Sequence, residues 1–363
     1  MTITTFIIAA VIKIALVIFL LLTGVAYMTW LERKVVGHIQ NRWGPTRVGP
    51  FGLLQPLADG VKFILKEDMV PDGVHKGLYI LAPALALVMS LISIAVIPFG
   101  ETITIPHVAS TPLQITGVPG SEHPLDINIG LLIILGATSI GVYGIALAGW
   151  SSNSKYSLLG SLRASAQMIS YELALGLSLV GVLLLSGSLS LREIVNTQSG
   201  HWIIAGHDTH LPHWFIIPQI VGFFIYLMSA FAETNRIPFD LPEAETELVA
   251  GYHTEYSSMK FAMFFMAEYV NMITVGCVAT LLFFGGWHGP ALAFLHLPQL
   301  LQSLLPIFWF SLKIFCFMFL YIWIRGTLPR FRYDQLMAFG WKFLLPLAIL
   351  NIIVTSLIVA VQG

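Results

Sequence analysis

The chain has 363 residues, of which 56% are hydrophobic and only 10% are charged. Soluble domains carry roughly 25% charged residues, so this chain has too few charges to cover a water-facing surface. The composition therefore excludes a soluble enzyme, a nucleic-acid-binding protein and a disordered protein, and it predicts an integral membrane protein. The net charge of −1 does not by itself indicate a partner.

Long apolar stretches recur along the whole chain. A transmembrane helix needs about 20 mostly apolar residues, and about eight stretches reach that length. We therefore predict an all-α integral membrane protein, a single polytopic domain over 1–363, with about eight spans and an interfacial amphipathic helix in the first inner loop. The predicted spans are Phe6–Trp30, Tyr79–Pro98, Ile129–Trp150, Ala166–Leu185, Trp214–Ala232, Phe261–Phe284, Leu304–Ile324 and Trp341–Val361.

Positive charges are distributed unevenly between these spans. The odd-numbered connections contain 15 Lys and Arg residues, whereas the even-numbered connections contain only Arg192. Because Lys and Arg favour the inner side of a membrane, we predict that the odd loops face the cytoplasm or matrix and that both termini face outside. The two long charged loops, 31–78 with the amphipathic helix and 233–260 with many acids, are the segments in which we expect function.

The metal-ligating residue types do not form a convincing site. The two cysteines, Cys277 and Cys316, lie in apolar stretches, and an iron–sulfur cluster normally needs four thiolates. No histidine lies near the centre of a predicted span, where a haem would need its axial ligands. The four histidines between His201 and His213 lie in a predicted outer loop, where solvent-exposed side chains are the favoured interpretation. We predict no metal site and no covalently bound cofactor.

The segment Phe51–Lys66 has the pattern of an amphipathic helix. Its apolar positions share one helical face and its polar positions share another, which is typical of a helix at the membrane interface. Two interpretations remain open. The helix either packs on the bundle as a surface element or forms one wall of an entrance for a lipid-tailed ligand, with Leu57 lining that entrance. The apolar face consists of Leu54, Leu57, Val61 and Ile64, and the polar face of Gln55, Asp59, Lys62 and Lys66.

The preceding segment, Gly37–Pro50, contains two Gly-Pro pairs around Arg42 and Arg47. Gly-Pro pairs indicate rigid turns. The two arginines can hydrogen-bond a polar head group or an acidic neighbouring subunit, or they can simply set the membrane topology.

Three acids lie within predicted spans or at their ends. Glu172 and Glu268 lie at similar depth in the fourth and sixth spans, and Glu233 ends the fifth. A charge in hydrocarbon costs several kcal/mol, so such acids usually face a cavity and mark an ion path. The alternative is a structural ion pair with Arg163 or Arg236.

A dense acidic cluster follows in the 233–260 loop. Asp240 and Glu243 have the spacing of a helix capping box, and acids in a first helical turn are favoured by the helix dipole. Capping explains one or two carboxylates but not four, because Glu245 and Glu247 follow immediately. We favour a cluster that collects protons.

Four long motifs identify a family. They are ERKVVGHIQNRWGPTRVGPFGLLQPLADGVK from Glu32, GWSSNSKYSLLGSLRASAQMISYE ending at Glu172, AETNRIPFDLPEAETELVAGYHTEYSSMKFAMFFMAEY from Ala232, and PRFRYDQLM from Pro329. From Leu31 to about Leu345 the chain resembles the quinone-site membrane subunit of respiratory complex I, the proton-pumping NADH:quinone oxidoreductase.

This resemblance implies that quinone is the substrate, that FMN and iron–sulfur clusters lie on soluble partner subunits, and that antiporter-like membrane subunits pump protons. The quinone tail would lie along the first span and the amphipathic helix. The residues implied for the quinone path are Gln40, Arg42, Leu57, Arg236 and Phe239. The residues implied for the proton path are Glu172, Glu233, Asp240, Glu243, Glu245, Glu247 and Glu268.

Two alternatives remain beside this interpretation. One is the homologous subunit of a membrane-bound hydrogenase-type complex. The other is a stand-alone proton or cation transporter, which would need paired discontinuous helices that the sequence does not indicate. We expect a bacterial inner membrane, with the mitochondrial inner membrane as the alternative, and no contact with nucleic acid.

Overall fold

The computed structural model describes residues 3–100, 102–103, 111–112, 127–204, 207–240, 249–290 and 299–362. Helices dominate these residues because a helix satisfies every backbone hydrogen-bonding group within its own segment, as hydrocarbon requires. The helices are α1 (Ile3–Ile39), α2 (Gln55–Leu65), α3 (Lys76–Ala95), α4 (Gly130–Ser151), α5 (Lys155–Ser186), α6 (Leu191–Thr197), α7 (Ile220–Glu233), α8 (Ser258–Phe283), α9 (Gln299–Thr327), α10 (Tyr333–Phe339) and α11 (Leu345–Gln362).

Within the described residues, seven helical segments are long and apolar enough to cross a membrane. The predicted fifth span corresponds to α7, which is apolar but has only 14 residues and rises about 21 Å. The last crossing segment joins α10 and α11 through a π-helical turn, Gly340–Leu344. The predicted class, an all-α integral membrane protein, is confirmed.

Several helices extend beyond the predicted spans. Helix α5 begins at Lys155, well before the predicted start at Ala166, so that the third connection shrinks to a short turn. Helix α1 likewise continues to Ile39. Hydropathy marks only the part of a helix that matches hydrocarbon, whereas the hydrogen-bonded helix continues into its polar flanks.

Two small hairpins, which the sequence did not predict, lie in the even-numbered connections. Their strands are β1 (Thr102–Ile103), β2 (Thr111–Pro112), β3 (His201–Ile204) and β4 (His207–Pro212). Both pairs are antiparallel, with Thr102 opposite Pro112 and Ile204 opposite His207. They are too short to change the fold class.

Close helix packing in the interior depends on small residues, as is common in membranes. A Cβ atom added at Gly144 of α4 would lie 3.0 Å from the carbonyl oxygen of Ala82 in α3. One added at Gly160 of α5 would lie 2.6 Å from the Cα atom of Gly251. These glycines therefore let α4 approach α3 and let α5 approach the turn at Gly251 closely.

The orientation inferred from the charge count predicts a labelling pattern. Ser199 and Asp72 are both exposed, and they lie in an even and an odd connection respectively. After replacement of Cys316 by Ala, we expect a membrane-impermeant maleimide to label Ser199→Cys from the outside of intact cells. Asp72→Cys should be labelled only after the membrane is opened, and the reverse pattern would contradict the orientation.

Candidate functional site

The predicted amphipathic helix is present as α2, and ion pairs anchor it. Arg33 of α1 lies 2.6 Å from Asp59, and Lys62 lies 3.2 Å from the same carboxylate. Partial burial raises the pKa of Asp59, but hydrogen bonds and charge from Arg33 and Lys62 outweigh burial and hold it below its usual value. The carboxylate therefore stays ionised at neutral pH and ties α2 to α1.

A cavity of about 480 Å³, here called the large cavity, lies between α1, α2, α8 and α9. Its volume is within the range of about 300–1,000 Å³ for small-molecule sites. Most of its lining is apolar, whereas charged side chains gather around one part of it. The apolar lining includes Leu22, Val25, Pro56, Phe63, Ile64, Phe261, Phe265 and Met266, and the charged lining consists of Glu32, Arg33, Asp59 and Arg325.

Glu32, near the end of α1, is the hub of a buried charge network. Its side chain accepts a hydrogen bond of 2.6 Å from the Tyr269 hydroxyl and lies 3.2 Å from Nη1 of Arg236. Arg325 of α9 also forms an ion pair with Glu32. Arg236 pairs in addition with Glu268, with 2.5 Å between Nε and Oε1. One guanidinium therefore joins two carboxylates, as the fork-shaped donor set of arginine allows.

A second cavity, here called the small cavity, lies on the other side of this network. Its volume is about 30 Å³, which exceeds the 10–15 Å³ or so that one water molecule needs. Glu233 and Glu268 both line it. The remaining lining comes from Ala86, Gly141, Ile145, Met168, Thr234, Asn235, Tyr252, Phe264, Ala267 and Asn271.

Glu172 of α5 lies close to this region. Ser139 of α4 donates a hydrogen bond to Glu172, and the neighbouring Thr138 side chain lies close to Glu233. The two carboxyl groups are near enough to interact electrostatically. Within the described ranges, neither acid forms an ion pair with Lys, Arg or His. Glu172 and Glu233 thus differ from Glu268, which faces Arg236.

Gln167 of α5 fixes the turn that carries Arg236. Its Nε2 atom donates to the carbonyl oxygens of Ala232 and Phe239, each at 2.8 Å, and lies 3.2 Å from Oδ1 of Asn235. Asn235 has a left-handed backbone with φ of 49°, which an asparagine tolerates better than most residues. The AETNR segment therefore turns directly after α7 and directs Arg236 into the bundle.

Two further predicted residues lie beside this turn. Phe239 is buried at 2% exposure, stacks on Phe331 and also contacts the ring of Tyr171. Asp240 pairs with Arg330 at 3.1 Å. The ring contacts make Phe239 a packing residue, and the ion pair ties Asp240 to Arg330. Glu243, Glu245 and Glu247 of the predicted acidic cluster lie outside the described residues.

None of the five predicted quinone-path residues lines the large cavity, and three of them lie away from the charge network as well. Gln40 and Arg42 are exposed beyond the end of α1, where Nε of Arg42 donates to Oε1 of Gln40 at 2.8 Å. Leu57 is 67% exposed and lies outside the cavity lining. The fold thus brings together Glu172, Glu233, Arg236 and Glu268, but not these three.

Three residues of the network, Glu32, Arg325 and Tyr269, were not predicted as site residues from the sequence. Glu32 is the first residue of the first quoted motif. It directly follows an apolar stretch, and this position could have indicated a buried acid. In the sequence, Arg325 was considered only as one of the positive charges that set the membrane topology. Only the fold shows that Glu32, more than 200 positions before Arg236 in the chain, is its partner.

Comparisons with known proteins agree with this architecture. A model of the NADH dehydrogenase family matches residues 12–356. Over 365 aligned residues the chain is 71% identical to an H subunit of NADH-quinone oxidoreductase, numbered 2, from Koribacter versatilis, and 99% of both chains is covered. It is 50% identical to the H subunit numbered 1 from Solibacter usitatus, covering 98% of both chains. It is 52% identical to the H subunit numbered 2 from Geobacter metallireducens, covering 97% of this chain and 96% of the relative.

These matches extend over almost the full length of both chains, and the residues matched by the family model, 12–356, cover all four quoted motifs. They therefore favour the quinone enzyme over the hydrogenase-type complex and the stand-alone transporter. The chain belongs to the NADH dehydrogenase family, as an H subunit of the multi-subunit enzyme NADH-quinone oxidoreductase.

Proposed function

We propose that the chain forms the membrane part of the quinone chamber and that its buried charges couple quinone reduction to proton translocation. FMN and the iron–sulfur clusters then belong to the soluble partner subunits, and the antiporter-like membrane subunits receive the coupling signal. The proposed location is the bacterial inner membrane.

The chemistry of the large cavity supports a ligand that is apolar over most of its length and polar at one end. A polyprenyl tail gains free energy from burial at roughly 25 cal/mol per Å² of apolar surface, and the apolar walls from α1, α2 and α8 offer that surface. The carbonyl oxygens of a quinone head accept hydrogen bonds, which Arg33 and Arg325 can donate at the charged part of the lining.

The observation that carries the coupling proposal is the chain of ion pairs between the two cavities. Glu32 and Arg325 line the large cavity, Glu268 lines the small cavity, and Arg236 pairs with both acids. Reduction of a quinone to a quinol consumes two electrons and two protons. A change of charge in the large cavity therefore alters how strongly Arg236 holds each carboxylate, and the acid that it releases gains affinity for a proton.

Glu172 and Glu233 extend this path away from the ion pairs. Two neighbouring carboxyl groups without a basic partner favour a shared proton. Such a pair can accept a proton from the small cavity and pass it on. Asp240, Glu243, Glu245 and Glu247 are proposed to supply protons from the inner loop.

The quinone assignment is tested by narrowing the large cavity. Gly60 of α2 lines it, and a Cβ atom added there meets nothing within 4 Å. Gly60→Leu therefore adds a side chain whose Cβ atom has room, and it also replaces a poor helix former. For a long-tailed quinone we expect the apparent KM to rise about tenfold, a loss of about 1.4 kcal/mol in binding, with a smaller rise for a short-tailed analogue.

Gly77→Leu is the matched control, because Gly77 is also helical and open but lies outside the cavity lining. Its KM values should match those of the unmodified enzyme. If the Gly60→Leu enzyme has the same KM as the unmodified enzyme for the long-tailed quinone and for the short-tailed analogue, the quinone binds elsewhere.

A further inference from the structure

Asn271 of α8 lies one turn beyond Glu268 and lines the same small cavity. The Oδ1 atom of its side chain is buried, and it has no hydrogen-bond partner within the described part of the chain. A buried acceptor without a partner costs about 1–3 kcal/mol, so such atoms are normally satisfied by protein or by ordered water.

The other polar groups of the small cavity do not satisfy Asn271. Asn235 is engaged with Gln167 and with the sulfur of Met168, and the Thr234 hydroxyl donates back to its own helix. Tyr252, Glu233 and Glu268 are the remaining polar lining groups. None of them hydrogen-bonds Oδ1, and an ionised carboxylate cannot donate to it. A donor small enough for a space of about 30 Å³ is a water molecule.

A water molecule at this place would have enough partners. Buried waters make about three hydrogen bonds, and Asn271, Glu233 and Glu268 all line the cavity. The carbonyl orients the water by accepting one of its two protons. The second water proton and the water lone pairs are then directed towards the acids.

We propose that Asn271 is a positioning residue that holds a water molecule for proton transfer between Glu233 and Glu268. This inference rests on the proposed function of these two acids. In each transfer, a protonated carboxyl on one side donates to the water while the water donates to the carboxylate on the other side. The water is regenerated, and one proton has moved.

The test uses the intact, membrane-reconstituted enzyme with Asn271→Leu, which keeps the approximate size but removes the carbonyl. We expect kcat for quinone reduction to fall about tenfold, as loss of one water-mediated contact in the transition state implies. The KM for quinone should stay unchanged, because the large cavity is intact. Asn271→Asp keeps an acceptor oxygen and should retain most of the activity. Thr274→Val, one turn further along α8 and outside the cavity lining, is the matched control and should be unaffected.

An Asn271→Leu enzyme with unchanged kcat would overturn the inference. Glu268→Gln, measured in parallel, separates a failure of the role of Asn271 from a failure of the proposed proton path. If Glu268→Gln is impaired while Asn271→Leu is fully active, only the role of Asn271 fails. If both are fully active, the proposed proton path fails as well.

A density map of the unmodified complex that resolves ordered water decides the matter even if Asn271→Leu does not assemble. We expect a water within hydrogen-bonding distance of Asn271 Oδ1 and of a Glu233 or Glu268 carboxyl oxygen. A well-resolved cavity without such a water would refute the proposal.

Discussion

Glu268→Gln is expected to leave the enzyme assembled but to lower quinone reduction and proton pumping about 100-fold, the scale of losing one acid–base group. Glutamine preserves the size of the side chain and its capacity for hydrogen bonds, but it does not exchange a proton. Assembly should survive because Arg236, which pairs with Glu268 at 2.5 Å, keeps its second partner Glu32 at 3.2 Å. Rates are measured with reconstituted enzyme, and NADH oxidation with a soluble electron acceptor serves as the control for an intact soluble arm.

Glu268→Asp is the conservative comparison. It retains the ionisable group on an arm one methylene shorter, and we expect it to keep a substantial part of both activities. Glu172→Gln should behave like Glu268→Gln, and it should assemble normally because no described basic residue pairs with Glu172. Full activity in both glutamine variants would remove these acids from the mechanism.

Arg236→Gln is expected to have the largest effect on stability. Arg236 is only 7% exposed and neutralises two carboxylates. Removing the cation from a buried ion pair costs about 3–5 kcal/mol, so we expect the variant chain to be nearly absent from the purified complex. The amount of the variant chain that is incorporated is measured on native gels of solubilised membranes.

Two further variants separate charge from shape at this position. Arg236→Lys retains the charge, but one ammonium cannot reproduce the bridging geometry; we expect assembly with reduced quinone reduction. The double variant Arg236→Gln with Glu268→Gln removes one acid together with the cation and should assemble better than Arg236→Gln alone. Normal assembly of Arg236→Gln would show that the network is not needed for the folded protein.

Hydropathy and charge distribution predict most of the fold because the bilayer imposes length and polarity on each segment. Two features escape them. Helix α7 has only 14 residues because it begins at Ile220, after a turn, and not at Trp214, where the predicted span begins. Hydropathy does not separate the apolar turn residues from the helix. The start of α5 at Lys155 follows from helical hydrogen bonding in a polar segment that hydropathy assigns to a loop.

The site was predicted in part. A single acid inside a span is conspicuous in the sequence, which is why Glu172 and Glu268 were found. Partnership across the chain is not visible in local spacing, so the pairing of Glu32 with Arg236 had to come from the fold. The pattern of α2 identified its apolar face, but it did not show whether that face meets lipid or a cavity. The cavity meets Gly60, Phe63 and Ile64, and of the predicted apolar face only Ile64 is part of its lining.

The proposed change of protonation at Glu268 during quinone reduction is tested most directly by infrared difference spectroscopy of the reconstituted enzyme. Protonated carboxyl groups have a C=O stretching band that is separate from that of carboxylates. We expect quinone reduction to produce a deuterium-sensitive change in this band in the unmodified enzyme, and we expect a defined part of the change to be missing in Glu268→Gln. Identical carboxyl difference spectra in the two enzymes, at equal extents of quinone reduction, would contradict the coupling through Arg236 and Glu268.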